Sequence, residues 1–220
     1  MRAFGEPGFM RIGHAGASRI VRGNTLASFD AALELGVDAV EFDVRAWQGR
    51  LVLAHTIFHA GCTACESLER ALAHLALPRF ARVALNVDVK HPGVEPAVLE
   101  ALRRRGLLER TIVSSQVREV VDRVRALDPD VRTGVSVGGR VARRSQGWRD
   151  WRSDVLDGLH RGRYDAVMAY HGLVDHGLVA DVRARAGALF AWTVEDAAAL
   201  RALRDAGVDG VVSGDPRVFA

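Results

Sequence analysis

Glu41 and Asp43 stand two residues apart inside the otherwise apolar run 39–44, and Asp88 and Lys90 repeat that spacing at the end of the run 83–89. Side chains two apart in an extended strand share a face, so each pair points one way. Three carboxylates gathered in low dielectric cannot all stay ionised without a counter-charge. A divalent cation supplies one, and carboxylates with water are the hard oxygen ligands that Mg²⁺ or Ca²⁺ takes. Lys90 beside them would aim an ammonium at whatever anion the metal holds. His14, ending the first apolar run, and His55, after the run 51–54, offer a general acid and a general base. Together these groups point to phosphoryl chemistry. The same residues also admit a plainer reading, with Glu41 and Asp43 paired to Arg45 on an exposed face, both histidines in the core and Asp88–Lys90 as a surface ion pair.

Lys90 is the single lysine among 30 basic residues. Where any cation would serve, the chain uses Arg, so a lone compact ammonium marks a place where a planar fork does not fit the task.

These residues need elements to hold them. Apolar runs of strand length recur at 9–12, 39–44, 51–54, 83–89, 111–113, 131–135, 166–169, 189–194 and 210–212. Between them, 25–35, 67–77, 94–105, 117–127, 179–186 and 195–206 carry the i, i+3, i+4 apolar spacing of amphipathic helices. Asn24 and Thr25 suit a helix N-cap, and Gly36, Gly106 and Gly207 fall where helices should stop. Such alternation implies a parallel sheet with helices outside. The run 51–54 follows 41–45 after a short turn at Gln48-Gly49 and reads as the return arm of a hairpin. Eight strands then remain, the number of a closed α/β (β/α)8 TIM barrel, whose site lies at the strands' C-terminal ends. An open doubly wound sheet is the second choice, and the GxGxxG and GxxxxGK[ST] fingerprints that would support it are absent. No linker interrupts 1–220, which reads as a single barrel domain. The Arg- and Gly-rich stretch 138–162, with Trp148 and Trp151, reads as irregular.

Composition narrows the function. The chain has 220 residues, 49% hydrophobic and 26% charged, which excludes a disordered or fibrous protein. The net charge of +3 comes from Arg scattered among Asp and Glu, without the concentrated stripe that nucleic acid binding needs. No apolar run reaches bilayer length and residues 1–10 lack a signal-peptide pattern, so a soluble cytoplasmic protein is expected. Residues 147–152 with Val155, Leu156 and Leu159 read either as a barrel helix with one Trp packed inward or as a peripheral membrane contact through Trp148 and Trp151. Cys62 and Cys65 read as two reduced loop cysteines, with a disulfide beside His55 as the alternative. Of the other histidines only His171, just past the run 166–169, could reach the site.

Several ordered blocks carry a resemblance. Gly13-His14-Ala15-Gly16-Ala17-Ser18, Gly23-Asn24-Thr25-Leu26-Ala27-Ser28-Phe29, Gly36-Val37-Asp38-Ala39-Val40-Glu41-Phe42-Asp43-Val44 and His55 resemble the opening of the glycerophosphodiester phosphodiesterase family. Leu85-Asn86-Val87-Asp88-Val89-Lys90, Val113-Ser114-Ser115, Ala191-Trp192-Thr193-Val194 and Gly207-Val208-Asp209-Gly210-Val211-Val212 follow that family's later blocks in order. The resemblance implies a phosphatidylinositol-phospholipase-C-like phosphodiesterase barrel with one Mg²⁺ or Ca²⁺ on Glu41, Asp43 and Asp88. It further implies catalytic His14 and His55, a phosphate-facing Lys90 and a substrate pocket lined by Trp192. A glycerophosphodiester or a lipid-headgroup diester would be the substrate.

The departures bear on mechanism. Ala15 stands where the family usually has Arg, Gly23 where it has Glu, and Thr56 where an acidic residue follows the second His. The small insertion after His55 is short or missing. These features are shared in part with sphingomyelinase D and phospholipase D-like relatives, in which the substrate's own hydroxyl attacks phosphorus and leaves a cyclic phosphate. A weakened or non-catalytic barrel that binds phosphodiesters is the remaining alternative.

Overall fold

The computed structural model describes Phe4 and residues 8–61, 65–138 and 145–220, with the side chains of 145–150 excepted. Eight parallel strands close on themselves: β1 (Met10–Gly13), β2 (Ala39–Trp47), β4 (Ala84–Val89), β5 (Thr111–Ser115), β6 (Arg132–Val137), β7 (Ala166–Tyr170), β8 (Ala188–Trp192) and β9 (Gly210–Ser213). Closure comes from β1, which pairs with β9 on one side and β2 on the other. β3 (Arg50–Leu53) pairs along its length with β2, antiparallel, as the hairpin arm read from the sequence. The architecture is the expected (β/α)8 TIM barrel.

Each barrel strand is covered on both faces, and its alternate residues go to different places. On β2, Val40, Phe42 and Val44 join the layer beneath the helices, while Ala39 lies with the barrel interior. On β4, Leu85, Val87 and Val89 face the helices and Ala84 the interior. The lower interior is filled by Met10, Ile12, Ile112, Met168, Phe190 and Val212, with Phe4 edge-on to Phe190 at 5.4 Å. This apolar plug leaves the polar inward positions, Glu41, Asp43, Asn86 and Asp88, at the upper end.

The outer layer contains α1 (Leu26–Glu34), α3 (Leu68–Leu75), α4 (Glu95–Arg104), α5 (Arg118–Leu127), α6 (Ser145–His160), α7 (His176–Arg183) and α8 (Ala197–Ala206). A single turn, α2 (Ile57–Ala60), follows β3. α1 begins on a capping box: the Ser28 N–H donates to Thr25 Oγ1 at 3.2 Å and the Thr25 N–H to Ser28 Oγ at 3.3 Å. Thr25 is therefore the cap, which releases the Asn24 side chain for the site.

α6 corrects the irregular reading of 138–162. Gly158 and dense polar residues hide its period, yet Val155, Leu156 and Leu159 are buried on one side. Gly158 stands where the Tyr164 ring packs, so a side chain there would collide with it. Trp151 packs against the adjoining core, as the barrel-helix reading expects, while the Trp148 side chain lies outside the described residues. Cys62 also lies outside them, and with it the disulfide alternative. Cys65 Sγ donates to the His59 carbonyl at 2.6 Å.

Candidate active site

Register brings the acidic residues together. Asp43 on β2 stands opposite Asp88 on β4, and Glu41 opposite Asn86. Glu41, Asp43 and Asp88 are 5%, 2% and 9% exposed, and one oxygen from each lies within 4.8 Å of the others. The surface reading of these carboxylates is excluded by that burial. Lys90 Nζ sits 2.5 Å from both Asp43 Oδ1 and Asp88 Oδ2. His55 Nδ1 is 3.2 Å from Asp43 Oδ1, and His14 Nε2 is 3.9 Å from Glu41 Oε2.

The loop from β1 to α1 completes the constellation. His14 follows β1 and is anchored by its N–H to the Ser213 carbonyl at 2.8 Å. Ala15, at a left-handed φ of 47°, donates its N–H to Glu41 Oε2 at 2.8 Å. Ser28 Oγ donates to the Ala15 carbonyl at 2.8 Å, which ties the loop to the start of α1. Asn24 then grips Asp43: Nδ2 donates to Oδ2 at 2.7 Å, and Oδ1 accepts the Asp43 N–H at 3.0 Å.

Ionisation follows from this packing. Burial drives the Glu41 carboxyl well above the usual carboxylate range, and the Asp43 charge adds to the push against Lys90. Burial also raises Asp88, with Lys90 only partly offsetting it. Burial works on Asp43 too, but the His55 hydrogen bond and the charge and hydrogen bond of Lys90 overcome it and hold Asp43 low. Lys90 is desolvated, yet the charges of Asp88, Asp43 and Glu41 raise it and keep it an ammonium. Burial lowers His14 against the Asp43 charge, which keeps its ring neutral at pH 7.

With one ammonium for three buried acids, Glu41 and Asp88 are pushed toward their protonated forms, and a further positive charge is what would let all three ionise. Asp88 Oδ1 is buried with no hydrogen-bond partner, an orphaned acceptor facing the same cluster. An all-oxygen set with a spare lone pair fits a hard divalent cation.

Two cavities meet at the histidines. An inner one, about 50 Å³, runs down the barrel axis past Asn86, Asp88, Lys90, Ser114, Gln116 and Trp192. An outer cleft of about 340 Å³ opens between the β1–α1 loop and α2, with Ser18, Arg22 and Asn24 on one wall and Ala54 and His59 on the other. His14 and His55 border both. Trp192 Nε1 donates to the Met168 carbonyl at 2.8 Å, so its indole is fixed as a wall. His171 lies against Tyr170, the two rings tilted with centroids 4.6 Å apart, and the Tyr170 ring meets Trp192 edge-on. It is not among the residues lining either cavity. Thr56 caps α2 by accepting the His59 N–H at 3.2 Å, the task its position now serves.

Sequence reasoning missed three participants. Asn24 was readable only as a cap, because Asn before a helix is ordinary. Asn86 could have been found from its place two residues before Asp88 on the same face. Arg22 carries no pattern signal among so many arginines.

A closed barrel with buried carboxylates, an ammonium and two imidazoles at its upper end defines the class. The model of the Glycerophosphoryl diester phosphodiesterase family matches residues 14–72 and 80–218, and the chain belongs to that family of phosphoric diester hydrolases. A glycerophosphodiester phosphodiesterase of Caldanaerobacter subterraneus subsp. tengcongensis is 25% identical over 94% of this chain and 95% of its own length. The fold matches that of an Oleispira antarctica phosphodiesterase, solved with its product sn-glycerol-3-phosphate, at TM-score 0.77 and 21% identity over 94% of each chain. It also matches the glycerophosphodiester phosphodiesterase of Thermotoga maritima at TM-score 0.73 and 20% identity, covering 97% of this chain and 98% of that one. Among the described residues no helix is long and apolar enough to cross a membrane.

Proposed function

We propose that this protein hydrolyses glycerophosphodiesters to glycerol phosphate and an alcohol, with His14 and His55 moving protons and Lys90 facing the phosphate. The observation that carries the reading is the cluster of Glu41, Asp43 and Asp88 around Lys90, bordered by both imidazoles. A divalent cation such as Mg²⁺ or Ca²⁺ held by the three carboxylates would supply Lewis-acid stabilisation of phosphate charge.

The chain's own groups divide the remaining work. Asp43 holds Nδ1 of His55, which fixes the ring and turns Nε2 away from the carboxylate to reach a substrate oxygen. His14, half-buried and kept neutral by its desolvation, accepts a proton from the attacking oxygen, and His55 donates one to the departing alcohol. The new bond joins water oxygen to phosphorus, the bond to the alcohol oxygen breaks, and one proton moves at each end. Lys90, itself largely buried, stabilises the negative charge that grows on the phosphoryl oxygens.

The test is ³¹P NMR of the protein with a panel of glycerophosphodiesters and lysophospholipids in Mg²⁺, Ca²⁺ or chelator. A metal-dependent glycerol phosphate signal is expected. A cyclic phosphate signal would instead identify the substrate's own hydroxyl as the nucleophile. No turnover with metal still bound would make the chain a binding barrel and overturn the reading.

A further inference from the structure

Six large apolar side chains are exposed among the described residues. Leu35, Leu77 and Leu127 sit at or just beyond the C-terminal ends of α1, α3 and α5, on the face of the barrel away from the site. Ile20, Ile57 and Phe58, 41%, 57% and 89% exposed, lie at the mouth instead. Ile20 falls between Ser18 and Arg22 and Phe58 between His55 and His59, all four of which line the outer cleft. Both lips of one opening therefore carry unburied apolar side chains. Scattered exposed hydrophobics need no explanation, but a group around a cleft does.

Local structure keeps them there. α2 is one turn, capped by Thr56 and held inward by Ala60, which is 3% exposed and packs with Val52 and Ala54. With Ala60 facing the core, Ile57 and Phe58 occupy the remaining, outward part of the turn.

The lips are also one-sided in charge. Residues 14–24 contain Arg19 and Arg22, residues 53–65 contain His55 and His59, and neither stretch contains Asp or Glu. Arg45 adds a third guanidinium, donating to the His55 carbonyl at 3.2 Å. Two carboxylates lie near Arg19: Asp215, which pairs with Arg217 at 2.6 Å, and Glu195, which accepts the Gly214 N–H at 3.3 Å and keeps its charge. Apolar tips on two stretches that carry cations and no acid of their own suit the boundary layer of an anionic lipid surface, where the apolar part enters the headgroup zone and the cations meet phosphates. A second copy fits less well, because a twofold contact through this face would set like charges against each other.

We infer that the two lips, Ile20 on one side and Ile57 with Phe58 on the other, dock the barrel mouth onto an anionic lipid–water interface. This surface would present the outer cleft to diesters carried by amphiphiles.

Vesicle flotation of the full chain tests it, using phosphatidylcholine alone and phosphatidylcholine mixed with phosphatidylglycerol. Binding to the mixed vesicles is expected, weakened by salt and weak on phosphatidylcholine alone. The double variant I57S/F58S should bind at least about tenfold more weakly, with an unchanged melting temperature and unchanged turnover of a water-soluble diester. Absence of binding to mixed vesicles, equal binding to both kinds, or wild-type binding by the variant would overturn the inference. So would a dimer in light scattering that the double variant abolishes, since the lips would then belong to a second copy. Flotation is read without turnover, so it stands or falls separately from the diesterase reading.

Discussion

Asn24 and Asp43 are joined twice, side chain to side chain at 2.7 Å and backbone N–H to side chain at 3.0 Å, which ties the β1–α1 loop to β2. Asn24 adopts a left-handed φ of 58°, a conformation Asn tolerates better than most residues. Its grip occupies Asp43 Oδ2 and leaves Oδ1 to Lys90 and His55. Asn24 is a positioning residue in this arrangement. Asn24→Ala should lower turnover and metal affinity together by about 10- to 100-fold, the usual effect of removing a ligand's supporting hydrogen bond. Asn24→Asp should do worse, because it sets a second carboxylate against a buried one. Calorimetric metal titration beside kinetics checks both, and metal affinity unchanged in Asn24→Ala would remove that role.

Lys90 is held between two buried carboxylates and serves stability as well as chemistry. Lys90→Met should abolish detectable turnover. In chelator it should also destabilise the fold by about 3–5 kcal/mol, the cost of leaving buried charges uncompensated. Added Mg²⁺ or Ca²⁺ should restore most of the melting temperature and none of the activity. Retained turnover would exclude Lys90 from the mechanism.

The barrel was legible because its strands are apolar runs set between amphipathic helices, and the hairpin arm betrayed itself by its short turn. α6 was legible only in part, through the barrel-helix reading of residues 147–159, since Gly158 makes room for Tyr164 and interrupts the helical pattern for a packing reason invisible in one dimension. Glu41, Asp43, Asp88 and Lys90 were legible because spacing of two is a statement about one face of a strand. Asn24 and Arg22 were not, because they act from a loop whose path is set by Ala15, Ser28 and Thr25 together. His171 stood at a strand end as expected, yet its ring lies tilted against Tyr170 and lines neither cavity.

His14 supplies a pH prediction. Burial lowers it from its ordinary value of 6.5, so the neutral, proton-accepting ring persists below that pH. The acidic limb of kcat/KM should therefore fall below pH 6.5 and be lost in His14→Ala. Above the limb the rate should plateau until another group titrates. An acidic limb above pH 6.5 would assign the base to a different residue.

Glu41 links metal to stability with a definite sign. Its folded-state value is raised above the ordinary 4.5, so the metal-free fold retains a proton that the unfolded chain releases. That contribution is complete below pH 4.5 and is lost as pH rises through the raised value. A divalent cation replaces the proton, so the rise in melting temperature on adding Mg²⁺ or Ca²⁺ should be larger at pH 8 than at pH 5. Thermal melts across that range, with and without chelator, provide the check. Glu41→Gln should flatten the pH dependence in chelator, and an equal metal effect at both pH values would refute the linkage.

Gly23 occupies the place where the family resemblance implies Glu, and the structure gives a steric reason that the two cannot simply be exchanged. A Cβ at Gly23 would lie 2.8 Å from Ser18 Cβ and 3.0 Å from Ala15 Cβ, inside normal packing distance. Ala15 is itself 6% exposed, with its N–H committed to Glu41. The small residues at 15 and 23 are thus one packing solution, which places the β1–α1 loop close over the carboxylates. Gly23→Ala should cost about 1–3 kcal/mol by overpacking, and Gly23→Glu should cost at least as much without gaining activity. Differential scanning calorimetry and diester turnover measure the two effects. A Gly23→Ala protein as stable as the parent would show that the loop can shift, and the pairing of Ala15 with Gly23 would lose its steric basis.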